Sequence, residues 1–145
     1  MSSNRPVVDI TAKCACGSVE ISIRGPIVSM LMCSCLDCQR ATGSGHASVA
    51  LVPEESFNLA GVTKSWDRPS DSGATFTRHF CGECGTPLYG RSSRAPDMRM
   101  VPVGFFAGQN EWYEPNQLIF ARSQQAWDLV ADHLPRHETY RQRNV

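Results

Sequence analysis

The chain has 145 residues, and its 14 lysines and arginines are balanced by 14 aspartates and glutamates. That length suits a single domain with a sizeable core, since about 68–70% of the unfolded surface can be buried at this size. A formal net charge of zero argues against a basic nucleic-acid footprint and a polybasic membrane anchor, and no apolar run approaches the roughly 20 residues of a membrane-spanning helix.

The first ten residues, MSSNRPVVDI, lack the apolar stretch of roughly 7–15 residues that a secretory signal carries, so a soluble cytoplasmic protein is expected. In SVEISI (18–23), Val19, Ile21 and Ile23 alternate with the period of a half-buried strand. SMLMC (29–33) reads as a short strand running into a group of thiols. LDCQRATG (36–43) reads as a short turn of helix ending at Gly43. HASVALV (46–52), ATFTRHF (74–80) and MRMVPVGFF (98–106) read as strands, the last of them placed at an edge or a bulge by Pro102. The polar WDRPSDSGA (66–74) reads as a loop. SQQAWDLVADHL (123–134) offers an N-cap at Ser123 and apolar residues Ala126, Trp127, Val130 and Leu134 at helical spacing, with Pro135 as a stop. It predicts a short C-terminal helix with Trp127 in the core. RHETYRQRNV (136–145) reads as a solvated tail. Many short strands between Gly- and Pro-rich turns predict a mainly β fold, with one domain over 1–145 and its core over 10–135.

Seven cysteines fall into three groups: CAC (14–16), CSCLDC (33–38) and CGEC (81–84). An odd number cannot pair completely in disulfides, and the cytosol keeps most thiols reduced. The C-x-x-C turn at Cys81 and Cys84 can present both sulfurs to one metal ion, with Gly82 and Gly85 tolerating the tight turn. A redox dithiol is the alternative, although that role goes with a thioredoxin-like βαβ context. In an extended segment Cys14 and Cys16 share a face, so Cys14, Cys16, Cys81 and Cys84 can close a tetrahedral four-thiolate site; buried thiols or disulfides are the other readings. Cys33 and Cys35 also share a face, and Cys38 returns from the next turn. Three thiolates on zinc leave one exchangeable position, suited to water or to an incoming thiol. A histidine, His46 or His79, could instead close that site.

CACGSV, CSCLDCQRATGS, FCGECGTPLYG and EPNQLIF…AW together resemble the glutathione-dependent formaldehyde-activating enzyme family, which also includes centromere protein V, from about residue 10 to residue 135. The resemblance implies a β-tent fold of stacked antiparallel sheets. It implies a structural zinc on Cys14, Cys16, Cys81 and Cys84 and a second zinc on Cys33, Cys35 and Cys38. It also implies a carbon–sulfur lyase that exchanges formaldehyde and glutathione with S-hydroxymethylglutathione. Departures from the family pattern are Ser34 in place of a histidine, GFFA (104–107) in place of an aspartate-containing segment, and Leu118 in place of a histidine.

The expected chemistry is zinc-assisted attack of a thiolate, such as that of glutathione, on a small carbonyl compound, with catalysis at Cys33, Cys35 and Cys38. QRATGSGH (39–46) is expected to line the pocket. There Arg40 could meet a carboxylate, the backbone at Gly43 and Gly45 could donate N–H bonds, and His46 is a further candidate; surface, turn or packing roles are the plainer alternatives. Trp66, Trp112, Tyr113, Phe105 and Phe106 could wall the pocket or serve as core. A thiol-binding carrier without turnover and a zinc-stabilised interaction module are the competing classes.

Overall fold

The structure is a computed structural model, described here for residues 5–141. In chain order its elements are β1 (Val7–Lys13), β2 (Glu20–Pro26), β3 (Ser29–Cys33), α1 (Leu36–Thr42), β4 (Ala47–Pro53), β5 (Phe57–Ala60), β6 (Thr63–Pro69), β7 (Thr75–Cys81), β8 (Pro87–Ser92), β9 (Met98–Pro102) and β10 (Leu118–Ile119). Short 3₁₀ turns cover Glu54–Ser56, Val103–Phe106 and Ala121–Ser123. The chain divides into two compact units. Of the described residues, one holds 5–29 together with Ala50–Trp112, and the other holds Met30–Val49 together with 113–141.

The first unit contains a three-stranded antiparallel sheet, β1-β2-β5, and a ladder in the order β9-β8-β7-β6. β2 is central in its sheet because it carries the alternation seen in the sequence. Ile21 and Ile23 of β2, and Val19 just before it, are all fully buried, and each such side chain contributes roughly 1.5–3 kcal/mol. Leu88 of β8, Val101 of β9, Val52 and Phe106 are among the residues that extend this core. The Phe57 ring of β5 meets the Tyr89 ring of β8 edge-on at 5.0 Å, which stacks the two sheets as a mainly β fold requires.

The second unit is built on a parallel pair. Leu118 lies opposite Met32, and Ile119 opposite Cys33. Leu118 is fully buried and also bridges to Arg136. The α1 helix follows β3 directly, with Cys35 as its N-cap and Gly43 as its left-handed C-cap at φ 69°.

Four sequence expectations change. The C-terminal helix over 123–134 does not form, and α1 is the α-helix of the described residues. Trp127 is 66% exposed, and only Leu134 of the four apolar positions is buried. The reason lies in Arg136, whose guanidinium donates to the carbonyls of Val130, Ala131, Asp132 and Leu134. Those carbonyls are satisfied by a side chain, so the segment gains nothing by coiling. The stretch from 136 is not a loose tail either. His137 N–H donates to the Leu118 carbonyl, Phe120 N–H to that of Thr139, and Ala121 N–H to that of His137, each at 2.9 Å; the last residues of that expectation, 142–145, lie outside the described residues. Trp66–Pro69 are not loop but the end of β6, paired with β7 through Pro69 opposite Thr75. Finally, β9 sits between β4 and β8 rather than at an edge. Pro102 simply ends it, and the chain turns into the 3₁₀ segment.

Candidate metal centres

The first centre lies wholly in the first unit. β1 and β2 are joined by a tight turn in which Gly17 N–H donates to the Cys14 carbonyl at 2.9 Å. Cys14 and Cys16 therefore sit in a turn, not in the extended segment that their spacing suggested. β7 and β8 are joined by a second turn, closed by Gly85 N–H on the Cys81 carbonyl at 2.9 Å. Gly17 and Gly85 take φ of 80° and 78°, a region costly for other residues. The two turns bring the four sulfurs within 4.8 Å of one another. Cys16 Sγ is 3.7 Å from both Cys14 Sγ and Cys81 Sγ. A disulfide would need about 2.05 Å, whereas four thiolates at about 2.3 Å around one tetrahedral ion stand about 3.8 Å apart. The spacing fits a shared thiophilic ion.

Hydrogen-bond donors surround these sulfurs. Val19 N–H donates to Cys14 Sγ at 3.3 Å and Glu83 N–H to Cys81 Sγ at 3.4 Å. The Ser18 hydroxyl is 3.0 Å from Cys16 Sγ and 3.2 Å from Cys81 Sγ. Thr86 Oγ1 accepts the Ala15 N–H at 3.2 Å and stands 3.1 Å from Cys84 Sγ. The Thr86 hydroxyl, with the N–H groups of Thr86 and Cys16, lowers the Cys84 thiol to about 5. Sequence reasoning missed Ser18 and Thr86, yet a signal exists. In both turns a glycine and then a hydroxyl residue follow the second cysteine: Cys16-Gly17-Ser18 and Cys84-Gly85-Thr86. Thr86→Val keeps the side-chain shape and removes the donor. It should weaken metal affinity at this centre by roughly tenfold or more, measured by chelator competition; unchanged affinity would show that the hydroxyl is idle.

The second centre lies in the second unit. Cys33 ends β3, Cys35 caps α1 and Cys38 stands in its first turn, so the strand-to-helix junction gathers three sulfurs within 4.8 Å. Cys38 N–H donates to Cys35 Sγ at 3.3 Å. The neighbouring Cys35 and Cys38 thiols, together with burial, push the Cys33 thiol far up. Three such sulfurs ionise together only with a cation among them. Gln39 braces the junction, its Nε2 donating to the Ser34 carbonyl at 2.8 Å and to the Ser123 carbonyl at 2.9 Å.

Among the described residues no histidine or carboxylate joins the three sulfurs. His46 Nδ1 is 2.7 Å from Asp128 Oδ2. His79 belongs to the first unit, where its ring stacks on Tyr89 at 4.3 Å and burial, with Arg99 and Arg91 nearby, pushes it down. Arg40 is 75% exposed and 3.9 Å from Asp37. The Gly43 N–H is taken by the Gln39 carbonyl at 2.8 Å, and Gly45 packs against Asp128. Of the aromatic candidates, Phe106 is core and Trp66 is exposed. Phe105 packs edge-on against Phe106, and Trp112 donates to the Gln109 carbonyl at 2.7 Å. Tyr113 donates to the Leu31 carbonyl at 2.6 Å, and burial pushes its phenol up to about 12. No helix among the described residues is long and apolar enough to cross a membrane.

The profile of a family described as glutathione-dependent formaldehyde-activating enzyme matches residues 9–123. A Podospora anserina protein is 31% identical over 119 residues, which cover 78% of this chain and 54% of the relative. A Fusarium vanettenii protein is 26% identical over 118 residues, covering 79% and 62%. An Aspergillus flavus protein is 29% identical over 89 residues, covering 61% and 46%. All three carry the provisional name glutathione-dependent formaldehyde-activating enzyme, and the chain spans 46–62% of their lengths. Among solved structures, a Rhodobacter sphaeroides protein of 19% identity matches with a TM-score of 0.56, covering 71% of this chain and 93% of its own; that likeness is one of fold.

Proposed function

The chain belongs to the glutathione-dependent formaldehyde-activating enzyme family, and from that premise we propose that it is a zinc-dependent carbon–sulfur lyase interconverting formaldehyde and glutathione with S-hydroxymethylglutathione. The observation that carries this reading is the inequality of the two thiol clusters. Four sulfurs at Cys14, Cys16, Cys81 and Cys84 leave an ion no vacancy, whereas three at Cys33, Cys35 and Cys38 leave one. Zinc suits both sets, and at the second it supplies an open Lewis-acid position that favours the thiolate form of an incoming thiol.

The chain's own residues do the rest. Gln39 and the Cys38 N–H hold the junction in one shape, so the three sulfurs need no rearrangement when a thiol arrives. Arg40, on the exposed face of α1, is the candidate for a glutathione carboxylate, and the turn at Gly43 and Gly45 forms the adjoining wall. The glutathione sulfur attacks the aldehyde carbon, the C–S bond forms, and the carbonyl oxygen becomes the hydroxyl of the adduct after taking up one proton. A thiol-dependent reaction of this kind suits a reducing compartment, the cytoplasm.

Two-dimensional exchange NMR of formaldehyde with glutathione tests the reading directly. Anaerobically purified protein carrying two zinc ions per chain should speed the exchange. Saturable glutathione binding without acceleration would make the protein a carrier, and neither binding nor acceleration would remove glutathione from the account.

A further inference from the structure

The second unit holds a titratable pair that the thiol chemistry leaves unused. The His46 and Asp128 side chains are only 20% and 12% exposed, and their polar atoms meet at 2.7 Å. The fold makes room for the pair. A Cβ on Gly45 would run into Asp128 Cγ, so a larger residue there would displace the carboxylate. Gln124 Nε2 donates to the Asp128 carbonyl at 3.2 Å, and Asp128 N–H donates to the Gln125 carbonyl at 3.0 Å.

The same polar network reaches the thiols. Gln125 Nε2 donates to Gln39 Oε1 at 3.1 Å, and Gln39 in turn holds the Ser34 carbonyl, between Cys33 and Cys35. The Thr42 hydroxyl stands 2.9 Å from the Cys38 carbonyl and 3.5 Å from the His46 carbonyl, so these two stretches of backbone are neighbours. A ring nitrogen held on a carboxylate is the protonated one. That fixes Nδ1–H toward Asp128 and leaves Nε2 with its lone pair. Among the described residues Nε2 has no partner, and it is not one of the buried atoms that lack one, so it is open to a substrate.

Building on the lyase reading, we propose that His46 Nε2 exchanges the proton with the adduct oxygen at the Cys33–Cys35–Cys38 centre and that Asp128 is its positioning residue. Nε2 first takes the proton of the glutathione thiol as that thiol ionises; as the sulfur then bonds to carbon, the C=O π pair moves onto oxygen, which takes this same proton from Nε2. The imidazole is thereby returned to its neutral form, Nδ1–H still on Asp128. Thiol and aldehyde therefore sum to S-hydroxymethylglutathione with nothing left over. In reverse, Nε2 takes the hydroxyl proton as the C–S bond breaks.

His46→Ala should lower kcat for the exchange by roughly a hundredfold or more, with both metal ions retained and with part of the rate restored by added imidazole. Asp128→Asn should lower kcat with little change in KM and should lose the Nδ1–H tautomer in ¹⁵N NMR spectra. In the unmodified protein, glutathione should move the His46 Nε2 resonance, a readout that needs no variant. Full exchange by His46→Ala, or a loss that imidazole does not rescue, overturns the proposal. Glutathione bound with the Nε2 resonance unmoved overturns the dyad alone, whereas an unmodified protein that binds no glutathione overturns the lyase reading and the dyad with it.

Discussion

Cys81→Ser is expected to cost the protein one metal ion and most of its folded stability. Cys81 is 1% exposed at the end of β7, paired across the ladder with Thr63. Its sulfur stands 3.7 Å from Cys16 Sγ and 3.2 Å from the Ser18 hydroxyl, so it joins the turn after β1 to the turn after β7. Structural zinc contributes about 10–16 kcal/mol in small zinc-binding peptides. A domain of this size keeps only about 5–15 kcal/mol of net stability. A hydroxyl is a poor substitute for a thiolate on a soft site, and the three remaining sulfurs would hold the ion less firmly. Elemental analysis should give one zinc fewer per chain, and thermal unfolding should fall by more than about 10 °C. Full metal content with an unchanged melting temperature would show that the four thiols are packing and nothing more.

Cys35→Ser should have the opposite profile: a folded protein without activity. Cys35 does two jobs, since its sulfur is one of the three at the second centre and also accepts the Cys38 N–H as the N-cap of α1. Serine is among the best N-caps, so the substitution keeps the helix start while removing the thiolate. The first centre lies in the other unit and should keep its ion. Losing a Lewis acid removes several kcal/mol of charge stabilisation from a reaction, which is about a hundredfold in rate or more. Exchange NMR and zinc content, with circular dichroism as the control, measure all three effects. Acceleration that survives in this variant would move the chemistry away from the three-thiol junction.

Sequence reasoning worked where a local pattern had a single physical reading. The alternation of Val19, Ile21 and Ile23 could only be one buried face of a strand, and all three side chains are fully buried. The cysteine spacing singled out the two clusters that the structure assembles, although it mistook a turn at Cys14 for extended chain. β6 was illegible for the converse reason. It is the last strand of its ladder, most of its residues are exposed, and no apolar alternation marks it. The segment 123–134 has genuine helical periodicity. It lost to competing partners: Arg136 close by on its carbonyls and, from far along the chain, Gln39 on Gln125 and His46 on Asp128. The last two contacts span 86 and 82 residues, and no window of sequence contains them. Asp128 escaped notice for the same reason, since 82 residues separate it from His46.

The distances along the chain between partners also bear on how the protein is born. Cys14 and Cys16 wait for Cys84 to leave the ribosome, and β3 waits for Leu118 and Ile119. Loop closure over such lengths slows folding. A nascent chain therefore carries its reactive sulfur unsheltered while the intervening residues are made, when mispairing and capture of the wrong ion compete with assembly. Prompt supply of the right cofactor at the exit tunnel, more than the speed of any single strand pairing, would then govern how much usable product a cell obtains.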